Sequence, residues 1–540
     1  MINKSDSLDT IKRTFQWDIP EYFNIADAVC DRWADGSGRR ALVIEHNDNE
    51  SVSYSFDQLK DLSDRLAAHW RDIGITRGDR IAIFLPQSLE TVVAHLAAYK
   101  LGAIALPLFY LFGPDALSFR LNNSQARLLV TDGPGAAKIA KMLHDDLPHL
   151  DDIYCTEAQP PEDMRSFWGS LPQTAGDFQA AQTRADDLAV IIYTSGTTGK
   201  PKGATHAHRV LLGHLPGVEL SHDFFPQPDD LMWTPADWAW IGGLLDVLLP
   251  SLYHGVPVLG RRFEKFEASA VFALMARHHV RNVFFPPTAL KMLRSAESDP
   301  RQKWDLKLRS VASGGESLGD ELIAWGKKAL GVTINEFYGQ TECNVVVSGC
   351  GALYPRVSGA IGRAVPGHDV AIVDSDGKPL PTGEVGHIAI RSPDPVMFLG
   401  YWGNPQATHE KFAGAYLLTG DLGRMDGESY IYYVGRDDDV ITSAGYRIGP
   451  GPIEECLLKH PAVQMAAVVG KKDAQRTEIV KAYIVLAPGF EATAALTAEI
   501  QQHVRERLAA HEYPREISFL DEMPTTVTGK ILRRELRDLA

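Results

Sequence analysis

The 540 residues are 45% hydrophobic and 23% charged, with 46 glycines and 32 prolines spread along the chain. That composition belongs to a globular protein long enough for at least two cores, and it excludes a disordered chain or a fibre. Lysine and arginine number 54 against 69 aspartates and glutamates, a formal charge of −15 with the basic residues dispersed, so a nucleic-acid partner is not expected.

In chain order, the N-terminal MINKSDSLDTIKRTF lacks an apolar signal core. RIAIFL, a helical ETVVAHLAAYKLG, ALPLF, ARLLVTD and LAVIIYT then alternate short apolar runs with helical patterns. Continuous Val, Ile and Leu runs read as strands buried on both faces, so the expected fold class is α/β, a parallel sheet wrapped by helices. RNVFFPPT and KLRSVASGG, followed by a helix around DELIAWGKKAL, continue the rhythm. From about residue 366, VAIVDSDGKPLPTGEVGHIAIRS and YLLTGDLGRMDGESYIYYVG read as antiparallel strands joined at Asp-Gly turns. After GRDDD a small α+β tail follows, with Leu496, Ile500, Val504 and Leu508 as one helical stripe. A large domain over 1–436, with a β-rich part from 366, and a small domain over 437–540 are expected. The most apolar stretches, LGAIALPLFYLF and IGGLLDVLLPSLY, are too short and interrupted to cross a bilayer, so no integral membrane association is expected. Cys30, Cys155, Cys343, Cys350 and Cys456 form no C-x-x-C pair, which fits a reducing, cytoplasmic protein.

YTSGTTGKPKG at 193–203 lies between the strand DDLAVIIYT and a helix expected from about His208. Thr194, Ser195, Gly196, Thr197, Thr198 and Gly199 offer hydroxyls and backbone N–H groups to phosphate oxygens, and Lys200 and Lys202 add positive charge. A Walker A loop is excluded, because Gly196 is followed five positions later by Pro201, and no G-x-G-x-x-G supports a dinucleotide site. Gly315-Glu316-Ser317-Leu318-Gly319 matches G-x-S-x-G, which alone points to an α/β-hydrolase with Ser317 as nucleophile and His387 or His460 in a triad. No HGGG-type segment precedes it, and a hydrolase leaves the tail unexplained.

Taken together, YTSGTTGKPKG (193–203), SGGES (313–317), EFYGQTE (336–342), YLLTGD (416–421), GRDDDVITSAGYRIGP (435–450) and PTTVTGKILR (524–533) resemble the adenylate-forming superfamily over essentially the whole chain. YGQTE, SAGYRIGP and ADWAWIGG look most like the medium-chain group of AMP-forming acyl-CoA synthetases. The resemblance implies an acid–thiol ligase that uses ATP, Mg²⁺ and coenzyme A on a small-molecule carboxylic acid through an acyl adenylate.

It also implies residue roles. Lys530 contacts the substrate carboxylate and α-phosphate, Thr341 a phosphate, and Glu342 the metal. Gly315, Glu316 and Ser317 lie along adenine within a nucleotide segment that includes Glu336, Phe337, Tyr338, Gly339 and Gln340, with Tyr338 stacked on the purine. Asp421 and Arg436 hold the ribose. Asp438 is the hinge of a rotating C-terminal domain, Ala444, Gly445 and Tyr446 line the pantetheine tunnel, and Arg447, Arg476, Arg505 and Arg515 are candidates for the CoA phosphates.

The acyl pocket is expected from Trp240, Ile241, Gly242, Gly243, Gly314 and Gly339. Acetyl-CoA synthetases carry a tryptophan at the position of Gly339, so the glycine is expected to leave volume open for a medium-chain, short branched or aromatic acid. Asp246 is considered for a polar or cationic group on the acid, and His206, His208 and Cys343 are read as structural. An α/β-hydrolase using Ser317 and an adenylating enzyme with a carrier-protein acceptor are the alternatives, and a homo-oligomer is compatible with the sequence.

Overall fold

The computed structural model describes the chain apart from residues 1, 3–6, 48–49, 143–146, 195–200, 317, 438, 444–445, 474–475, 509–512 and 526–530, and the side chains at 47, 442, 446 and 447. Contacts divide it into two compact units: residues 1–356, 362–368 and 392–410, and residues 357–361, 369–391 and 411–540.

In the first unit, Arg80–Phe84, Ile104–Pro107, Leu128–Thr131, Asp152–Cys155 and Leu188–Thr194 form a parallel sheet. Their Val, Ile and Leu runs are almost wholly buried because helices cover the sheet, as the unbroken apolar runs require. The helix Leu89–Lys100 is buried all round, and Lys100 in its last turn reaches Asp31 at 2.8 Å and also pairs with Asp64. A second sheet orders Val258–Gly260, Met232–Trp233, Asn282–Phe284, Ser310–Gly314 and Ile334–Gln340 in parallel, followed by the antiparallel Cys343–Ser348. The fully buried helix Val210–Ser221 packs on Cys343–Ser348.

The strand–loop–helix arrangement expected around 193–203 is corrected. Lys202–Ala207 is a strand antiparallel to Leu188–Thr194, with Thr194 opposite Lys202, and the helix begins only at Val210. Its Lys, Gly and Ala residues carry little strand signal, and its place in the sheet comes from pairing on both sides, with Leu188–Thr194 and with Gly400–Tyr401.

In the second unit, Val370–Val373, Gly386–Arg391, Tyr416–Met425 and Tyr430–Arg436 are consecutive antiparallel neighbours. Asp376-Gly377 and Asp426-Gly427 turn between them as the Asp-Gly signals require. The α+β part of the same unit places Val463–Asp473, Thr477–Leu486 and Glu516–Phe519 in one sheet with Ile441–Ser443 and Tyr446–Ile448. Leu496, Ile500 and Val504 of the helix Ala494–Arg507 fill its core with Ile453, Val468 and Ile484, while Leu508 caps that helix. Among the described residues no helix is long and apolar enough to cross a membrane.

Candidate active site

Five residues of one strand and the turn after it organise the first unit's site. On Ile334–Gln340 side chains alternate: Glu336 and Tyr338 keep partial exposure, while Phe337 between them is 6% exposed. The Leu318 amide donates to Glu336 Oε1 at 3.2 Å, which ties that face to the segment after Ser310–Gly314. Gly315 makes the turn there with φ +98°, which glycine adopts without the penalty a side chain brings. Glu336 and Tyr338 thus share one strand face, a ledge that the segment holding Gly315 and Glu316 adjoins through the Leu318–Glu336 bond, and Ser317 lies outside the described residues. Phe337 does not belong to that ledge. The strand's alternation turns it to the opposite face, where its ring packs on Phe284 at 5.3 Å.

On that opposite face aromatic rings pack closely against one another. Trp240 and Phe284 stand 5.7 Å apart, and a Cβ added to Gly242 would lie 2.9 Å from Phe284 and 3.2 Å from Trp240. A Cβ at Gly314 would strike the Phe337 ring at 2.7 Å, and one at Gly315 would reach Trp240 at 3.5 Å. Trp240, Ile241, Gly242 and Gly314 are thus gathered with Phe284, whose FFPP run at the end of a short strand carried no functional signal. Gly243 faces away, against the Asp237 carbonyl and Trp238 backbone, because it lies about 100° further round the helical turn. Trp238 is core, 1% exposed and against Gly260.

Gly339 corrects a second expectation. A Cβ there would lie 2.5 Å from Asn344 Cα and 2.6 Å from its Oδ1, so the glycine is filled by neighbouring backbone and does not open the pocket. The ladder is irregular between Tyr338 and Gln340, and Val345, opposite this bulge, has φ +51°, a costly conformation for a β-branched residue. Asn344 Nδ2 donates to both carboxyl oxygens of Asp246 at 2.8 and 2.9 Å, so the polar group facing Asp246 is the chain's own. Burial holds the Asp246 carboxyl well above the usual carboxylate range. We expect Gly339→Ala to lower the unfolding free energy by about 1–3 kcal/mol through overpacking, read by urea denaturation. Wild-type stability in that variant would show that the 344–345 backbone yields.

At the phosphate end, Thr194 and Lys202 face each other at the base of the loop, and Thr194 Oγ1 donates to the Lys202 carbonyl at 3.4 Å. Ser195, Gly196, Thr197, Thr198, Gly199 and Lys200 lie outside the described residues. Gln340 ends the strand; Thr341 and Glu342 follow, with Thr341 partly exposed and Glu342 7% exposed. The Tyr401 hydroxyl donates to Glu342 Oε1, and among the described residues no lysine or arginine pairs with that carboxylate. No cluster of three or more potential metal ligands occurs among the described residues. A single buried carboxylate with hard oxygens fits Mg²⁺ of the kind completed by substrate phosphates. His206 and His208 are buried, and burial pushes them down to about 3 and about 4, so both are neutral near pH 7; Cys343 is buried and in no disulfide.

The second unit holds the remaining candidates. Antiparallel pairing sets Asp421 opposite Arg436, whose Nη1 donates to Asp421 Oδ1 at 3.4 Å. Asp438, Ala444, Gly445 and Lys530 lie outside the described residues; Tyr446 and Arg447 occupy the strand Tyr446–Ile448. Arg505 and Arg515 are brought together on the Tyr513 ring, 4.2 and 5.2 Å from its centre, and Arg476 sits in the turn before Thr477–Leu486, its amide on Asp473 at 2.9 Å. His460 is engaged at both nitrogens, by the Ala462 amide at 3.2 Å and Glu499 at 3.4 Å, which leaves it no role in a Ser317 triad.

The family profile "AMP-binding enzyme" matches residues 30–402 and "AMP-binding enzyme C-terminal domain" matches 452–530. The chain is 34% identical to an acetyl-coenzyme A synthetase of Bacillus subtilis, covering 95% of this chain and 90% of that protein. It is 33% identical to the mitochondrial acyl-coenzyme A synthetase ACSM4 of Rattus norvegicus, over 99% and 93%. The crystal structure of the anthranilate CoA ligase AuaEII in complex with anthranoyl-AMP superposes with a TM-score of 0.87 at 30% identity, over 97% and 98%. The two profiles together span most of the chain, and the relatives match it nearly end to end: the chain belongs to the AMP-binding enzyme family, among the acid–thiol ligases that are AMP-forming acyl-CoA synthetases.

Proposed function

We propose that the chain activates a compact carboxylic acid, aromatic or short and branched, as its acyl adenylate and passes the acyl group to coenzyme A. The observation that carries this reading is the strand Ile334–Gln340. Phe337 faces the proposed acyl pocket, Tyr338 the base ledge, and Thr341 and Glu342 follow at its end, so acid, base and phosphates meet within six residues. An acyl pocket among Trp240, Phe284 and Phe337, with Gly339 closed by backbone, favours a flat or branched acid over a long chain.

The acid's carboxylate attacks the α-phosphate of ATP and pyrophosphate leaves; the coenzyme A thiol then displaces AMP. Both reactants of the first step are anions, so fixed positive charge at the reacting oxygens lowers the barrier, and we assign it to Lys530. Thr194, Lys202 and the loop between them orient the departing phosphates, and Thr341 and Glu342 hold the α-phosphate side. Glu342 would hold magnesium, which would neutralise phosphate charge when bound. Tyr338 stacks on adenine, and Asp421 accepts from the ribose hydroxyls with Arg436 beside it. We place the functional boundary at residue 437, with Asp438 as the hinge that exchanges Lys530 for the 444–446 segment between half-reactions. Arg447, Arg476, Arg505 and Arg515 then meet the CoA phosphates. Five buried cysteines without a disulfide support a reducing compartment.

Pyrophosphate release with ATP, Mg²⁺ and a panel of acids tests this, with acyl-AMP expected to accumulate when coenzyme A is omitted. Benzoate-type and short branched acids should exceed octanoate in kcat/KM by about tenfold or more. Preference for octanoate or acetate would overturn the compact-acid reading, and no pyrophosphate with any acid would overturn the reaction.

A further inference from the structure

We infer that Tyr401 is a positioning residue for Glu342, and that the segment 398–402 joins the phosphate loop to the carboxylate of the metal site; the inference rests on the role proposed above for Glu342. Glu342 is buried at 7% exposure, where a carboxylate needs a partner. Among the described residues its side chain has one, the Tyr401 hydroxyl on Oε1. A neutral donor meets that need without cancelling the negative charge, as a lysine would, and it leaves Oε2 available to a cation.

The segment grips Glu342 twice, since the Phe398 amide also donates to the Glu342 carbonyl at 2.8 Å. On its other side the segment is bound to the outgoing strand of the phosphate loop. Gly400 and Tyr401 pair with Thr205 and Ala204, the Leu399 amide donates to the Thr205 carbonyl at 2.7 Å, and the Trp402 amide donates to the Gly203 carbonyl at 2.8 Å. Thr205 Oγ1 closes the pairing on the Gly400 carbonyl at 2.7 Å, and Thr408 Oγ1 accepts from the Tyr401 amide at 2.8 Å. The Tyr401 ring packs edge-on to Phe398 at 5.0 Å and has Lys202 Nζ 5.2 Å from its centre. One aromatic residue thus touches the lysine at the loop's base and orients the carboxylate 59 residues away in sequence.

Tyr401→Phe removes the hydroxyl and keeps the ring. Calorimetric titration of Mg²⁺ into full-length protein with ATP and no acid should show affinity reduced about 10- to 100-fold, as loss of a partner that orients a metal ligand does elsewhere. KM for the acid should be unchanged, and excess Mg²⁺ should restore adenylation. In a Glu342→Gln background the same change should have no further effect. Unchanged Mg²⁺ affinity in Tyr401→Phe while Glu342→Gln loses it would overturn the inference alone, as would equal losses in both backgrounds. Wild-type Mg²⁺ affinity in Glu342→Gln would overturn the role of Glu342 itself, and the inference with it.

Discussion

Lys530→Ala is expected to slow acyl-adenylate formation by about 100- to 1000-fold, the usual cost of losing one fixed donor at the point where charge develops. The attacking carboxylate and the α-phosphate are both anionic, and the lysine proposed between them would stabilise the transition state more than either ground state. The second half-reaction, begun from chemically made acyl-AMP and coenzyme A, should keep its wild-type rate, because the thiol step removes AMP without that contact. This split separates a catalytic lysine from one that only supports the fold. The chain on either side of 526–530 is well anchored: Thr525 and Ile531 form a bridge, and the Leu532 amide donates to the Pro524 carbonyl at 2.9 Å. Arg533 then holds Glu454 at 2.7 and 2.8 Å, and Arg537 reaches Asp439 at 2.8 Å. Equal losses in both half-reactions would contradict the assignment, as would full adenylation without the lysine.

Acid should destabilise the first unit sharply, from about pH 6.5 downward. His95, His206, His208, His214 and His222 are each at most 1% exposed, and burial depresses them to about 3, 3, 4, 4 and 3. In the unfolded chain each titrates near 6.5. Between those values the unfolded state binds more protons, so the contribution of each histidine is complete above 6.5 and is lost as pH falls toward 3–4. For one such group the full loss is about 3–5 kcal/mol, comparable to a large share of a domain's stability. Asp237 acts in the opposite sense. Burial raises its carboxyl to about 6, so the folded state holds a proton through the window from about pH 4 to 6, and stability falls there as pH rises. Asp246, likewise raised by burial, adds to this offset. With five histidines against two carboxyls the net expectation is uptake of two or more protons on unfolding near pH 5, read as the pH slope of the unfolding free energy in urea. His95→Asn should lower that slope by about one proton. An unfolding free energy at pH 5 equal to that at pH 7 would contradict this account.

Much of the frame was legible because local composition and local physics agree. Runs such as AVII and RLLV have no polar alternation, and only a sheet covered on both faces buries them, which the parallel strands do. Asp-Gly pairs placed the turns between Val370–Val373 and Gly386–Arg391 and between Tyr416–Met425 and Tyr430–Arg436. Lys202–Ala207 was not legible as a strand, since Lys, Gly and two Ala in six residues give little strand signal. Period-2 alternation along EFYGQ separates Tyr338 from Phe337, but it does not say which face meets the core; Phe284, from another strand, decides that.

What the amino-acid sequence determined by itself is the reaction class. It did so through six short motifs, each legible from consecutive residues, that together resemble the adenylate-forming superfamily. What only the tertiary structure decided is how those motifs are supported. Gly339 reads as empty space in sequence and proves to be filled by the Asn344 and Val345 backbone, because the direction of a missing side chain is set by the chain packed against it. Glu342 is assigned to a metal only by resemblance in the sequence, and only the fold shows the Tyr401 hydroxyl donating to its Oε1, a contact between distant segments that no local pattern encodes.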